Sequence, residues 1–208
     1  MTTIGIVAHT TRLAQAEHLA TTTAADFVSV DDGTLGCEAN HRRVWRWHRN
    51  HASEWAIVLE DDALPINDFR SHAHAALATA PTRIVSFYLG RQYPRRWQPD
   101  IENALQRAGH VHASWITAPR TLHAVAYAMH TTVLDGLLTH DSTKAIDSAI
   151  TAWQQRAGVD TSYTVPSLVD HADGPTVINR RSRRMPGRTA WQVGAPHRWT
   201  CSAVQLDS

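Results

Sequence analysis

Apolar and polar positions alternate along this chain in blocks that predict strands and helices in turn. Ile4-Gly5-Ile6-Val7-Ala8 is a short apolar run and predicts a first strand. The polar stretch His9-Thr10-Thr11-Arg12 follows as a loop, and Leu13 to Thr22 has helical composition. Asp26 to Val30 predicts a second strand, ending in the turn signal Asp31-Asp32-Gly33. Gly36 to His51 predicts a helix that lays Val44 and Trp47 on the sheet. Trp55-Ala56-Ile57-Val58-Leu59 is apolar without interruption, the pattern of a strand buried on both faces. It runs directly into Glu60, Asp61 and Asp62.

Further along, Pro65 to Asp68 reads as a helix start, with Asn67 or Asp68 as cap and Phe69 to Ala78 as the helix. Arg83 to Leu89 predicts a buried strand. Gly90 to Ala113 weakens into loop with a short helix near Ile101 to Ala108. Thr121 to Met129 predicts a strand, Thr132 to Leu138 and Ala145 to Arg156 predict helices, and Tyr163 to Pro166 a last short strand. Beyond Asn179 the period is lost, and Arg180, Arg181, Arg183, Arg184 and Arg188 cluster around Pro186 and Gly187. The expectation is therefore a single α/β domain over 1–179, a mostly parallel sheet with helices on both faces, followed by a basic C-terminal tail over 180–208.

Composition narrows the function classes. The 208 residues suffice for one well-cored domain, and 43% hydrophobic with 19% charged is a globular balance. A net charge of +1 gives no whole-molecule attraction to nucleic acid or membrane. The two cysteines, Cys37 and Cys201, make no disulfide framework. No apolar run reaches the length of a membrane span, and the first residues lack a signal-peptide pattern, so a cytoplasmic location is expected.

The chemistry concentrates at Glu60, Asp61 and Asp62. Open α/β sheets bind ligands at the carboxyl ends of their strands. Three carboxylates packed there repel one another unless a divalent cation or a hydroxyl-rich ligand shares the site. That points to a metal-assisted nucleotide or sugar site, with the division of labour among the three acids left open. Loops after strands belong to the same crevice, which makes Thr10, Thr11, Arg12, Asp31 and Asp32 candidates for donor contacts. Arg91 to Trp97 interleaves guanidinium groups with aromatics, a composition that can grip phosphodiesters or simply be a solvated loop.

The stretch Leu35-Gly36-Cys37-Glu38-Ala39-Asn40-His41-Arg42, a helix, then Val58-Leu59-Glu60-Asp61-Asp62 resembles glycosyltransferase family 25, with Asn40 where that family has serine. Pro166-Ser167-Leu168-Val169-Asp170-His171 is similar to a closing segment of small glycosyltransferases of actinobacterial phages. The resemblance covers roughly residues 1 to 179. It implies the GT-A fold, in which a Rossmann-like nucleotide-binding half merges with an acceptor-binding half. It also implies a nucleotide-sugar donor, a UDP-sugar first among them, with Mn²⁺ or Mg²⁺ on its diphosphate. On that basis Asp62 is the first choice for direct metal contact, and Glu60 and Asp61 serve the ribose or nucleotide-side waters. His171 is a second metal ligand, or a packing residue among fourteen histidines. Asp147 is the general base, or a helix-start acid favoured by the macrodipole, with Asp141 as fallback. His41 matches the motif and either serves the donor or packs its helix. The acceptor stays open between a hydroxylated or hydroxymethylated base in phage DNA and a glycan or lipid-linked saccharide. A non-catalytic nucleic-acid-binding protein with a degenerate transferase fold is the alternative from another class.

Overall fold

A computed structural model describes residues 1–51, 53–173 and 187–207. The elements in chain order are β1 (Thr2–His9), α1 (Leu13–Thr23), β2 (Phe27–Asp31), α2 (Cys37–Arg49), β3 (Trp55–Glu60), β4 (Ala63–Pro65), α3 (Phe69–Leu77) and β5 (Ile84–Ser86). They continue with α4 (Gln98–His110), β6 (Trp115–Ala118), β7 (Ala126–His130), α5 (Leu134–Thr139), α6 (Ile146–Ala157), β8 (Thr161–Thr164), β9 (Val169–His171) and β10 (Ala203–Gln205). Eight strands form one mixed sheet in the order β10-β6-β8-β5-β7-β3-β1-β2, and β4 pairs with β9 in a separate two-stranded ribbon.

The β2-β1-β3 half is all parallel, as expected of a Rossmann-like sheet, with Gly5 paired to Phe27 on one side and Val58 on the other. The unbroken apolar run of β3 has the predicted cause. Ile57 and Leu59 face a core shared with Ala16 and Leu19 of α1 and Phe69 of α3, whereas Ala56 and Val58 face Val44 and Trp45 of α2 and Ile146 and Ile150 of α6. Helices thus cover both faces. A third cluster, built on Ile101, Ala104 and Ala108 of α4 with Ile116, Tyr163 and Leu206, seals the far end.

Several elements differ from the sequence expectation, two of the strands through distant partners. The segment from Thr121 does not enter the ladder until Ala126. Thr121 Oγ1–H instead donates to Gln154 Oε1, its Oγ1 lies 2.9 Å from Thr161 Oγ1, and its N–H donates to Thr151 Oγ1. Once it joins the sheet, β7 runs antiparallel between β3 and β5. The expected strand at Arg83 to Leu89 shortens because Leu89 N–H turns to donate to Ser167 Oγ. The short helix near Ile101 extends to the whole of α4, with Pro99 in its first turn, where a missing N–H costs nothing. Asp68 stands at the N-cap of α3, but in a left-handed conformation and without a capping hydrogen bond.

The largest difference lies beyond residue 179, where a tail was expected. Residues 187–207 pack onto the domain: Trp191 N–H donates to the Leu89 carbonyl, Trp115 Nε1–H to the Thr200 carbonyl, and β10 pairs in parallel with β6. These pairings join residues about 80 to 100 positions apart, so no local period reveals them. Arg180, Arg181, Arg183 and Arg184 lie outside the described residues.

Candidate active site

The three acids sit at the point where the chain order of the sheet reverses, since β2 lies on one side of β1 and β3 on the other. That reversal opens the crevice used for ligands in open α/β sheets. Asp61 bridges it. Its Oδ2 accepts from His9 N–H at 2.8 Å and its Oδ1 from Arg12 Nη1 at 2.8 Å. The same Arg12 nitrogen donates to Asp62 Oδ2 at 2.6 Å. On its other side, Asp62 Oδ2 lies 3.4 Å from Nε2 of His171, which the β4–β9 ribbon carries across from the far end of the chain. Ala172 N–H donates to the Asp62 carbonyl at 2.9 Å and holds that ribbon end in place.

Electrostatics follow from these contacts. Burial pushes the Asp62 carboxyl up, but His171 and Arg12 more than offset it, and the net direction is down. Burial works against the Arg12 guanidinium, yet Asp61 and Asp62 raise it overall. Arg12 therefore favours the ionised form of Asp62. Asp62 Oδ1 and His171 Nδ1 are buried and have no hydrogen-bond partner among the described residues.

Glu60 is held from below by a buried chain of polar groups. Trp45 Nε1–H, which can only donate, gives its hydrogen bond to Tyr127 Oη at 2.8 Å. Tyr127 Oη lies 2.9 Å from His41 Nδ1, and His41 Nε2 lies 3.1 Å from Glu60 Oε1. The one assignment that satisfies every member has the tyrosine O–H donating to Nδ1 and Nε2–H donating to Glu60. Burial drives the Tyr127 phenol well above its ordinary value, which keeps that donor proton in place. His41 is fully buried, so it reaches a ligand through Glu60 and not directly. Its neighbour Asn40 donates Nδ2–H to the Ala8 and Ser29 carbonyls and accepts from Ser29 Oγ, tying α2 to β1 and β2. Asn40 is thus a structural tie behind the site.

Cys37 joins His41 and Glu60 in a three-donor grouping with ligand atoms within 4.8 Å of one another. Burial, and then the charges of Glu60 and Asp62, push its thiol up to about 12, so it stands as a neutral thiol. With His41 Nε2–H donating to Glu60, this grouping is a hydrogen-bonded one.

The loop candidates divide. Thr10 to Arg12 form one turn of 3₁₀ helix, whose Thr11 N–H is capped by the His9 side chain. Thr11 and Arg12, with Asp61 and Asp62, line a first cleft of about 1050 Å³ against α1, while Thr10 is exposed. Asp31 does not present its carboxylate to this site. Its Oδ1 accepts from Gly33 and Leu35 N–H and its Oδ2 from Gly36 N–H, which outweigh burial and lower its pKa. Asp32 is exposed and bonded to Thr34. Both acids shape the turn into α2, and their side-chain hydrogen bonds all stay within residues 31–36.

That turn forms the rim of a second cleft of about 720 Å³, which gathers Glu60, His171, Asp147, Lys144, Tyr88 and Arg188. Two helix N-termini open on it. The α2 cap is Gly36 and the α6 cap is Ala145, and neither residue offers a side-chain cap to the exposed amides. Such ends favour anions. Asp147, in the first turn of α6, accepts from Ser148 N–H, and burial raises its pKa above the ordinary carboxylate value. Asp141 is exposed and lies before the helix. The structure thus brings Glu60, Asp61, Asp62, Arg12 and His171 together and sets Asp147 in the same cleft as Glu60 and His171. Sequence reading missed Tyr127, Trp45 and Tyr88, because nothing local separates a buried polar-bonded aromatic from a core one.

No family model matches the chain, and no curated protein matches it. Among solved structures the chain is similar to A197 from STIV, with a TM-score of 0.54 at 10% identity over 83% of this chain and 86% of that one. A Bacillus anthracis protein described as a glucose-1-phosphate thymidylyltransferase, in complex with a sucrose, gives a TM-score of 0.45 at 9% identity over 79% and 86%. The first likeness is one of fold, and the second carries no argument at that score. Among the described residues, no helix is long and apolar enough to cross a membrane.

Proposed function

We propose that this protein is a metal-dependent glycosyltransferase that moves a sugar from a nucleoside diphosphate sugar, a UDP-sugar first among them, to a hydroxyl group. The observation that carries the reading is the approach of Asp62 to His171 at 3.4 Å, each with one buried polar atom left without a partner among the described residues. A carboxylate and an imidazole side by side suit Mn²⁺, and the carboxylate suits Mg²⁺. Asp62 and His171 would hold the ion, with Glu60 and Asp61 at its flanks. When bound, the ion supplies Lewis-acid stabilisation to the departing diphosphate.

The chain's own groups do the rest. Arg12 pairs with Asp61 and Asp62 and fixes them in place. The helix ends at Gly36 and Ala145, with Arg188, make the second cleft a seat for a diphosphate. Glu60, oriented by His41, faces the polar end of the donor. Asp147 accepts the proton of the acceptor hydroxyl. The hydroxyl oxygen bonds to the anomeric carbon as the bond from that carbon to the diphosphate oxygen breaks, and the diphosphate leaves with the electron pair. A carboxylate of raised pKa is a better proton acceptor than an ordinary one, provided the pH stays above that value. Because Asn40 is a tie within the scaffold, its departure from the family serine lends no support to a degenerate, non-catalytic role.

A melting assay tests this. UDP-glucose with Mn²⁺ at about one hundred times its Kd stabilises a native state by about 2.7 kcal/mol. At this chain length that raises Tm by roughly 5 to 10 °C. Asp62→Asn and His171→Ala, singly, should abolish the Mn²⁺-dependent part of the shift. A shift that survives both substitutions, or that never needs the metal, rules out the assignment of the ion to these residues.

A further inference from the structure

Past Asp147 the second cleft continues into a groove of about 570 Å³ lined by Arg95, Arg96, Trp97, Arg120 and Lys144. Tyr93, Leu122, Lys144 and Asp147 line both cavities, so the two are continuous, with Asp147 at the junction. Four cations face one acid in this groove, although the whole chain carries a net charge of only +1. Elsewhere Arg12, Arg42, Arg49, Arg70 and Arg107 have carboxylate partners, whereas Arg43, Arg83 and Arg156 among others have none within the described residues, so what sets this groove apart is the gathering of four such cations in one cavity. Among the described residues none of Arg95, Arg96, Arg120 and Lys144 has a carboxylate partner.

The two central guanidinium groups are held close. Arg120 Cζ lies 3.9 Å from the centroid of the Trp97 ring and Arg96 Cζ lies 4.8 Å from it. Burial and the charge of Arg96 both lower the Arg120 pKa. Like charges gathered without a counter-ion are costly alone and favourable around an anion. The same stacking places guanidinium groups over the indole, which takes that face away from a neutral sugar. Tyr93, 42% exposed on the shared rim, keeps an open ring to stack on a base.

We infer that this groove is the acceptor site and that the acceptor is a single-stranded nucleic acid. Its phosphodiesters lie along Arg95, Arg96, Arg120 and Lys144, and a base or sugar hydroxyl is presented to Asp147. Guanidinium groups spaced along a groove beside an aromatic ring are the means by which single strands are gripped without sequence readout. The inference rests on the glycosyltransferase reading for the word acceptor, but not for the binding itself.

The test is fluorescence anisotropy with a fluorescein-labelled oligothymidine of about twelve nucleotides. If all four cations meet phosphates, affinity should fall about 50-fold between about 50 mM and about 200 mM salt, from a slope of roughly −0.7 per phosphate. Arg96→Gln with Arg120→Gln should weaken binding and reduce that fall to about 7-fold. Arg96→Lys with Arg120→Lys should restore the steep salt dependence, which a merely structural loss would not. Binding unchanged by the double glutamine variant, or insensitive to salt, overturns the inference. The donor reading is scored separately by the Mn²⁺-dependent melting shift with UDP-glucose. An oligonucleotide bound at this groove without any donor shift leaves the inference standing and removes the transferase. A donor shift without oligonucleotide binding does the reverse.

Discussion

Replacing Arg12 by methionine removes the guanidinium and its charge while keeping an apolar stem. The guanidinium is 13% exposed, and the carboxylates it serves, Asp61 and Asp62, are 6% and 13% exposed. Breaking a buried pair by deleting one partner costs about 3 to 5 kcal/mol, because the remaining charge stays in place uncompensated. Here two acids are stranded, although Asp61 keeps the His9 N–H and Asp62 keeps His171 at 3.4 Å. The lower end, about 3 kcal/mol, is therefore expected at neutral pH. In a chain of this length that lowers Tm by roughly 6 to 12 °C. The loss should depend on pH in a definite direction. In the parent protein the Asp62 pKa is depressed, so its contribution is whole above about pH 4 and is lost as pH falls through the folded value. In the variant, burial is less opposed and the Asp62 pKa rises, so keeping the acid ionised at neutral pH costs stability. Acid removes that cost. The gap between the two proteins should shrink as pH falls below the ordinary carboxylate range, and Mn²⁺ should recover part of it at neutral pH by supplying positive charge. Urea denaturation at several pH values, with and without Mn²⁺, measures all three. A loss under about 1 kcal/mol, or one independent of pH, would refute the view that Arg12 holds these acids.

Other expectations follow from the same contacts. Asp147→Asn removes the proton acceptor and should cut kcat by at least about 100-fold with donor affinity near that of the parent, in initial-rate measurements with saturating Mn²⁺. A fall in donor affinity alone would exclude the role of base. Gly5→Ala would place a Cβ 2.5 Å from Val44 Cγ1 and 2.8 Å from His48 Nε2, and should cost about 1 to 3 kcal/mol in urea unfolding. His48 is buried and its pKa is pushed down to about 4 by burial. The unfolded chain takes up that proton first, so stability should fall between about pH 6.5 and about 4 and level off below. A His48→Gln variant should show a flatter acid limb over that window.

Much of the architecture was legible because it is written in local pattern. The apolar stretch of β3 reads as buried on both faces, and it is, with Ile57 and Leu59 turned to one helix layer and Ala56 and Val58 to the other. The acids at its end mark the crevice for the same reason. What escaped was fixed at long range. The three-residue strands β4 and β9 are too short for a period, yet their pairing is what brings His171 to Asp62. Trp115 to Ala118 reads as nothing in particular until β8 and β10 flank it. Asp31 carries the right residue type at the right strand end, but three amides of its own turn occupy it, an outcome that depends on the path of residues 33 to 36. Trp45, Tyr127 and His41 join only when α2 packs on the sheet and its side chains reach β7, 82 to 86 positions apart.

The reversed strand at the centre of the sheet has a consequence for how such a protein diversifies. Because β7 runs against β3, the peptide entering β7 arrives at the very end where β3 departs, as the Glu60 N–H bonded to the Val125 carbonyl attests. Residues 122 to 125 thus line the second cleft without belonging to the acidic corner that Asp61 and Asp62 form in the first. Substitutions in that entering peptide can remodel one wall while the acidic corner stays untouched. The cleft wall and the acidic corner are then free to change on separate pieces of backbone.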